Sequence, residues 1–179
     1  IIGGGMGFTF VKAMGGAIGT SLVEDDKRDL AKQLIVEAKA KGCNLLIPVD
    51  TLITKDFADT PAERVCPICE IPEGYMGLDN GPQSVVNALE ALASSKTIIW
   101  NGPMGVFEFE NYAGGTKAVA QAVADATANG AFSLIGGGDS VAAVNKFGYS
   151  EKVSYISTGG GAMLEFLEGK TLPGVAALR

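Results

Sequence analysis

Histidine is absent from the 179-residue chain. That removes the imidazole base of a Ser-His-Asp triad and the imidazole ligand of most zinc sites. Cysteine is nearly absent as well, with only Cys43, Cys66 and Cys69. An odd, small count cannot build the disulfide framework of a secreted mini-domain. No apolar run reaches the roughly 18 residues of a membrane span, and no signal peptide is expected. Charged residues are scarce, at 19%, and cations are the minority: 14 Lys and Arg against 20 Asp and Glu, a formal net charge of −6. Without a basic stripe to release counterions, nucleic acid and anionic membranes are excluded as partners. A nucleotide is not excluded. Its phosphates can be held by backbone N–H groups at helix N-termini, with Mg²⁺ supplying positive charge.

Glycine and apolar residues fill the space that charge leaves. Hydrophobic residues make up 47% of the chain, enough for a sizeable core, and the 25 glycines cluster in particular turns. Hydrophobic periodicity predicts helices over 6–14, 25–41, 83–94, 116–127, 139–147 and 162–167. Short apolar strands are expected at Ile1-Ile2, 44–49, 97–100, 132–135 and 153–157, with 51–74 irregular around Pro61, Pro67 and Pro72. Because the chain opens on what reads as the end of a core strand, a truncated start is expected. Alternating βα units with wholly apolar strands imply an α/β fold: a Rossmann-like, three-layer α/β/α domain with a parallel sheet.

In such sheets ligands gather at the carboxyl ends of strands. Four of those junctions are glycine-rich: IIGGGMG, TIIWNGPMG, SLIGGGDS and SYISTGGGA. Two common phosphate motifs fail. Gly169-Lys170-Thr171 has the ending of a Walker loop, but position 164 is Leu and the segment follows a helix. Gly3, Gly5 and Phe8 miss the third glycine of the dinucleotide fingerprint, and no acidic ribose clamp follows. The remaining loops carry two readings each. GGGDS offers free N–H groups at a helix start, with Asp139 for a metal and Ser140 as a hydroxyl, or else Asp139 is simply a helix cap. STGGGA is either a second anion site or a place of close helix–sheet packing. WNGPMGVFEFE combines Asn101 with Met104, Val106 and Phe107, which suits a flat purine, with Glu108 for ribose hydroxyls; the plain alternative is a turn capping the core.

Taken in order, IIGGGMGFTF, YMGLDNGP, WNGPMGVFEFE, IGGGDS, STGGGA and LEFLEGKTLPGVAAL closely resemble the carboxyl-terminal, nucleotide-binding half of phosphoglycerate kinase, over the whole chain. The resemblance implies reversible, Mg²⁺-dependent phosphoryl transfer between 1,3-bisphosphoglycerate and ADP, giving 3-phosphoglycerate and ATP, by a monomeric, hinge-bending enzyme. It places Gly4 and Gly5 near base and sugar, Gly77 and Leu78 beside the adenine, and Asn101, Gly102, Phe107 and Glu108 along the adenosine. Gly137, Gly138, Asp139 and Ser140 would meet the phosphates, Asp139 orienting the metal. Gly138, Gly159, Gly160 and Gly161 would face the transferring phosphoryl group. The half that binds phosphoglycerate, with its catalytic arginine, is missing, as are upstream lysines for the phosphates. The fragment is therefore expected to bind nucleotide without turnover. A cytoplasmic location is expected, with a plastid as the alternative.

Cys66-Pro67-Ile68-Cys69 reads either as two ordinary loop cysteines or as a regulatory disulfide. Two rival functions remain: a non-catalytic nucleotide-binding module, and a nicotinamide-dependent oxidoreductase, for which the ribose clamp is lacking.

Overall fold

In a computed structural model, which describes residues 1–178, helices and short strands alternate along the chain. Helix α1 runs Gly4–Ala13 and α2 Arg28–Ala40. Strands β1 (Ala17–Ile18) and β4 (Glu70–Ile71) form a small parallel pair. Between them in sequence lie β2 (Asp50–Thr54) and β3 (Arg64–Pro67), followed after β4 by β5 (Met76–Asn80). Helix α3 (Pro82–Ala93) leads to β6 (Thr97–Asn101), α4 (Gly114–Ala128) to β7 (Phe132–Gly136), and α5 (Gly138–Lys146) to β8 (Tyr155–Ile156). Helices α6 (Gly160–Leu167) and α7 (Pro173–Ala176) close the described residues.

The α/β class is as expected, and β6-β7-β8 form the parallel sheet. Its register aligns Trp100 with Ile135 and Ile156 on one face, where Ile98, Val119, Val123 and Val144 complete the largest core cluster. The opposite face aligns Ile99, Leu134 and Tyr155. It is bare: Ile99 is 46% exposed, Phe132 51% and Tyr155 61%. β6 is an edge strand.

The segment 51–74 is not irregular. It holds most of an antiparallel sheet of order β3-β2-β5. Its prolines do not interrupt ladders, because Pro67 ends β3 and Pro72 follows β4. β5 went unforeseen because Gly77, Asp79 and Asn80 are poor strand formers; burial on the fold's inside imposes the strand instead. Conversely, Ile1-Ile2 and 44–49 form no regular ladder. Ile2 N–H donates to Leu46 C=O at 2.8 Å, so the two segments touch, but a single bond is not a strand pair. Helix α3 begins at Pro82, pre-set for a first helical position, and Asp50 caps it from β2. The Asp50 carboxylate accepts from Gln83 N–H at 3.0 Å and Ser84 N–H at 2.8 Å. That cap fixes the helix that leads into β6.

Candidate functional site

A cavity of about 920 Å³ opens between the Ile1–Gly5 segment and the free edge of β6. Six of the residues that the resemblance assigns to the nucleotide line it: Gly4, Gly5, Gly77, Leu78, Asn101 and Gly102. Its walls are mostly apolar, with Met104 and Val106 on one side and Phe57, 64% exposed, at the rim.

The loop after β6 organises the site. Gly4 N–H donates to Met104 C=O at 3.0 Å, tying the first glycine junction to this loop. Met104 N–H donates to the buried Thr116 hydroxyl at 3.0 Å, and Val106 N–H to Leu78 C=O at 2.8 Å. Gly102 N–H donates to the Ser140 hydroxyl at 2.6 Å, tying the loop to the start of α5. Gly137 precedes that helix with φ +86, a backbone only glycine adopts readily. A Cβ there would lie 3.1 Å from the Asn101 amide. One junction further, Gly160 opens α6 so close to Gly137 that a Cβ would run into its backbone nitrogen. All four glycine-rich junctions therefore meet in one row, and at Gly4, Gly137 and Gly160 the missing side chain leaves room for the neighbouring segment.

The outer residues of that row face open space. Nothing lies within 4 Å of a Cβ built at Gly138 or Gly161, and at Gly159 only the Ala162 methyl, at 3.9 Å, does. Asp139 is exposed in the first turn of α5. A carboxylate there is favoured by the helix dipole. Among the described residues, no three of Cys, Asp and Glu cluster as a ready-made metal cage.

Phe107 and Glu108 do not line the cavity. Phe107 is buried, with the Lys146 ammonium 6.0 Å from its ring centroid. Lys146 also donates to the carbonyls of Phe107 at 2.8 Å and Glu108 at 3.3 Å, tying this stretch to α5. The Glu108 side chain is exposed.

Two features had no signal in the sequence, Asp79 and the Phe57 loop. Asp79 is the only ionisable side chain among the cavity-lining residues; burial pushes its carboxyl up to about 7, against N–H bonds from Gly115 and Asn80. The motif YMGLDNGP contained it, but nothing local separates a buried Asp from a turn Asp. Phe57 reaches the rim from a distant loop. That loop is held by Asp59, whose carboxylate accepts from Glu110 N–H and Asn111 N–H, each at 3.0 Å. The Asn111 and Glu110 donors also hold the Asp59 carboxyl below its usual range. The cysteines stand apart from the site. Cys66 is buried and Cys69 exposed, both as free thiols, and burial pushes the Cys66 thiol up.

The fold and this row of junctions define an α/β domain whose glycine-rich loops gather at the carboxyl ends of the parallel strands, with the cavity running from there along the free edge of β6. The family model described as phosphoglycerate kinase matches residues 1–170, and the chain belongs to that family. Phosphoglycerate kinase of Porphyromonas gingivalis is 58% identical over 179 residues, which is 100% of this chain and 43% of the relative. Phosphoglycerate kinase 3, cytosolic, of Arabidopsis thaliana is 58% identical over 99% of this chain and 44% of its own length. The solved phosphoglycerate kinase of Coxiella burnetii superposes with a TM-score of 0.90 at 43% identity, covering 97% of this chain and 44% of that one. The chain thus spans less than half the length of the relatives it matches.

Proposed function

We propose that this chain is the carboxyl-terminal, nucleotide-binding half of a phosphoglycerate kinase. In the complete enzyme it would present Mg-ADP or Mg-ATP for reversible phosphoryl transfer with 1,3-bisphosphoglycerate and 3-phosphoglycerate, held by the other half. Alone it binds nucleotide without turnover. The observation that carries this reading is the continuous row from Gly4 through Gly102 to Gly137 and Gly160, linked by Gly4–Met104, Gly102–Ser140 and Gly137–Gly160 contacts.

In this reading the apolar part of the cavity takes the base, between Gly77-Leu78 and Met104-Val106. The open N-termini of α5 and α6 receive the phosphates. Free N–H groups at Gly138, Asp139 and Gly161 point the positive ends of two helices at them. Gly138, Gly159, Gly160 and Gly161 stabilise charge on the transferring group through backbone N–H, a role that tolerates no side chain in the path.

Asp139 fits a Mg²⁺ partner. Mg²⁺ is characteristically held by one or two carboxylates plus substrate phosphates, and Asp139 is a single exposed carboxylate beside the proposed phosphate cradle. When bound, the metal neutralises phosphate charge and polarises the transferring phosphoryl group. Among the described residues no cationic side chain lines the cavity. The net charge of −6 leaves the positive charge to the metal and to the rest of the polypeptide. The bare face and open edge of β6 are where that polypeptide docks, so part of the cavity belongs to it rather than to ligand. Turnover by these 179 residues alone is not expected, because in this reading the phosphoglycerate site lies in the other half of the enzyme. The enzyme is placed in the cytosol as a monomer, and the plant relatives named as cytosolic support the compartment.

Calorimetric titration with Mg-ADP tests the assignment. Saturable binding is expected, weakened about tenfold or more by Asp139→Ala, which corresponds to ~1.4 kcal/mol. Glu108→Ala tests the ribose role. Its exposed position outside the cavity predicts a smaller loss, and an unchanged affinity would remove Glu108 from the site. Absence of binding to a folded chain would overturn independent nucleotide binding.

A further inference from the structure

The cavity wall contains one group that the phosphoryl-transfer reading leaves unused. Asp79 sits near the end of β5 and is 3% exposed. One carboxylate oxygen accepts from Gly115 N–H, in the first turn of α4, at 2.7 Å. The other accepts from Asn80 N–H at 2.8 Å. α4 has no cap from its own N-terminal side chains, so Asp79 caps it from another element. Two glycines press on the same carboxyl. A Cβ at Gly105 or at Gly115 would run into an Asp79 oxygen. The carboxyl is thus a spacer with three neighbours: β5, the Gly102–Phe107 loop and the α4 N-terminus.

Among the described residues no cation answers this carboxyl. The elements packed against β5 carry Asp50 on β2, Lys12 on α1, and Lys117 and Asp125 on α4. None of them contributes to its ionisation, which burial and the two N–H bonds alone decide. A buried carboxyl without a counter-charge is poised between forms that differ in what they can do. Ionised, it accepts both N–H bonds and suits the helix dipole, but it is poorly solvated. Protonated, it fits a dry wall at the expense of part of that acceptor capacity.

We propose that Asp79 is a positioning residue for the candidate site: its carboxyl sets the Gly102–Phe107 loop against α4, and the loop's hold on a nucleoside follows its ionisation. The second clause rests on the nucleotide reading above; the first does not. Occupation of the cavity expels water from the wall and favours the neutral carboxyl. Nucleoside binding therefore takes up a proton, and affinity rises as pH falls.

The experiment follows the backbone amide resonances of Gly115 and Val106 in the full chain from pH 5 to 9, by nuclear magnetic resonance. A shared titration midpoint near 7 is expected, and Asp79→Asn removes it. A flat response, or one that survives in the variant, overturns the proposal. Should the variant not fold, the Asp79 carboxyl-carbon resonance of the unaltered chain decides instead, and a midpoint in the ordinary carboxylate range near 4 overturns it. Adenosine, which has no group titrating in this window, then probes the coupling. Binding several-fold tighter at pH 6 than at pH 8, with that ratio abolished in Asp79→Asn, supports it. Equal affinity at both pH values overturns the coupling. A chain that shows the amide titration but no adenosine binding keeps Asp79 as the loop's positioning residue and defeats the nucleotide reading and the coupling that rests on it.

Discussion

Asp79 also makes a claim about stability, with a definite sign. Its folded value lies at about 7, above the ordinary 3.8. Between those values the native state binds more protons than the unfolded chain. Stability contributed by this group is therefore fully present below pH 3.8 and is lost as pH rises through about 7. The full span is on the order of 4 kcal/mol at most, since each pKa unit corresponds to about 1.4 kcal/mol. Other carboxylates behave oppositely: Asp59, held low by Asn111 and Glu110, favours the fold above the ordinary carboxylate range and loses that contribution as pH falls. Comparing variants isolates the Asp79 contribution. Urea unfolding at pH 5 and pH 8 is expected to show a larger drop in midpoint for the unaltered chain than for Asp79→Asn, which has nothing to ionise. The same drop in both would place the titrating group elsewhere.

At the scale of elements, the glycines divide into those that permit packing and those that leave room. Gly160 and Gly161 are neighbours in α6 and separate the two roles. A methyl at position 160 collides with the Gly137 backbone, so Gly160→Ala must push α6 away from the β7–α5 junction. A loss of roughly 1–3 kcal/mol is expected, the usual range for overpacking a tight contact. A methyl at 161 meets nothing, and alanine is a better helix residue than glycine by about 0.5–1 kcal/mol. Gly161→Ala is thus expected to hold or raise thermal stability while weakening Mg-ADP binding, because its methyl enters the proposed phosphate path. Unchanged binding in Gly161→Ala would remove α6 from the site. This division also marks how far the sequence could be read. The helices α1 to α6 and the strands β6 and β7 were legible because apolar periodicity and glycine stops are local signals, whereas the four-residue α7 is too short to carry a period. The glycine junctions were legible as a set because each glycine cluster directly follows a short apolar run in the sequence, although Ile1-Ile2 forms no strand and α4 begins only at Gly114. β5 was not, since tertiary burial overrides the poor propensities of Gly77, Asp79 and Asn80. Nor was the displacement of Glu108, because it depends on Lys146, which lies 38 residues away in the chain and donates to the carbonyl of Glu108.

On the scale of the whole molecule, the open edge and bare face of the β6-β7-β8 sheet carry the remaining argument. β7 is paired on both sides, whereas β6 and β8 are edges. An unpaired edge beside a row of exposed Ile99 and Tyr155 invites a further strand or a covering layer. If the rest of the family's polypeptide takes that place, it completes the cavity wall and supplies the phosphoglycerate site together. A chimaera tests both parts at once: the stretch of the Porphyromonas gingivalis relative that this chain does not match, joined ahead of Ile1. In the isolated chain, hydrogen exchange is expected to be slowest in β7 and faster in β6. In the chimaera, β6 protection is expected to rise to that of β7, with turnover of 3-phosphoglycerate and Mg-ATP absent from the fragment and present in the fusion. Turnover without any gain in β6 protection would mean that the other half docks elsewhere and that the whole cavity is left to ligand. Protection without turnover would mean that the strand edge is filled but that the row of glycines does not complete a phosphoryl-transfer site.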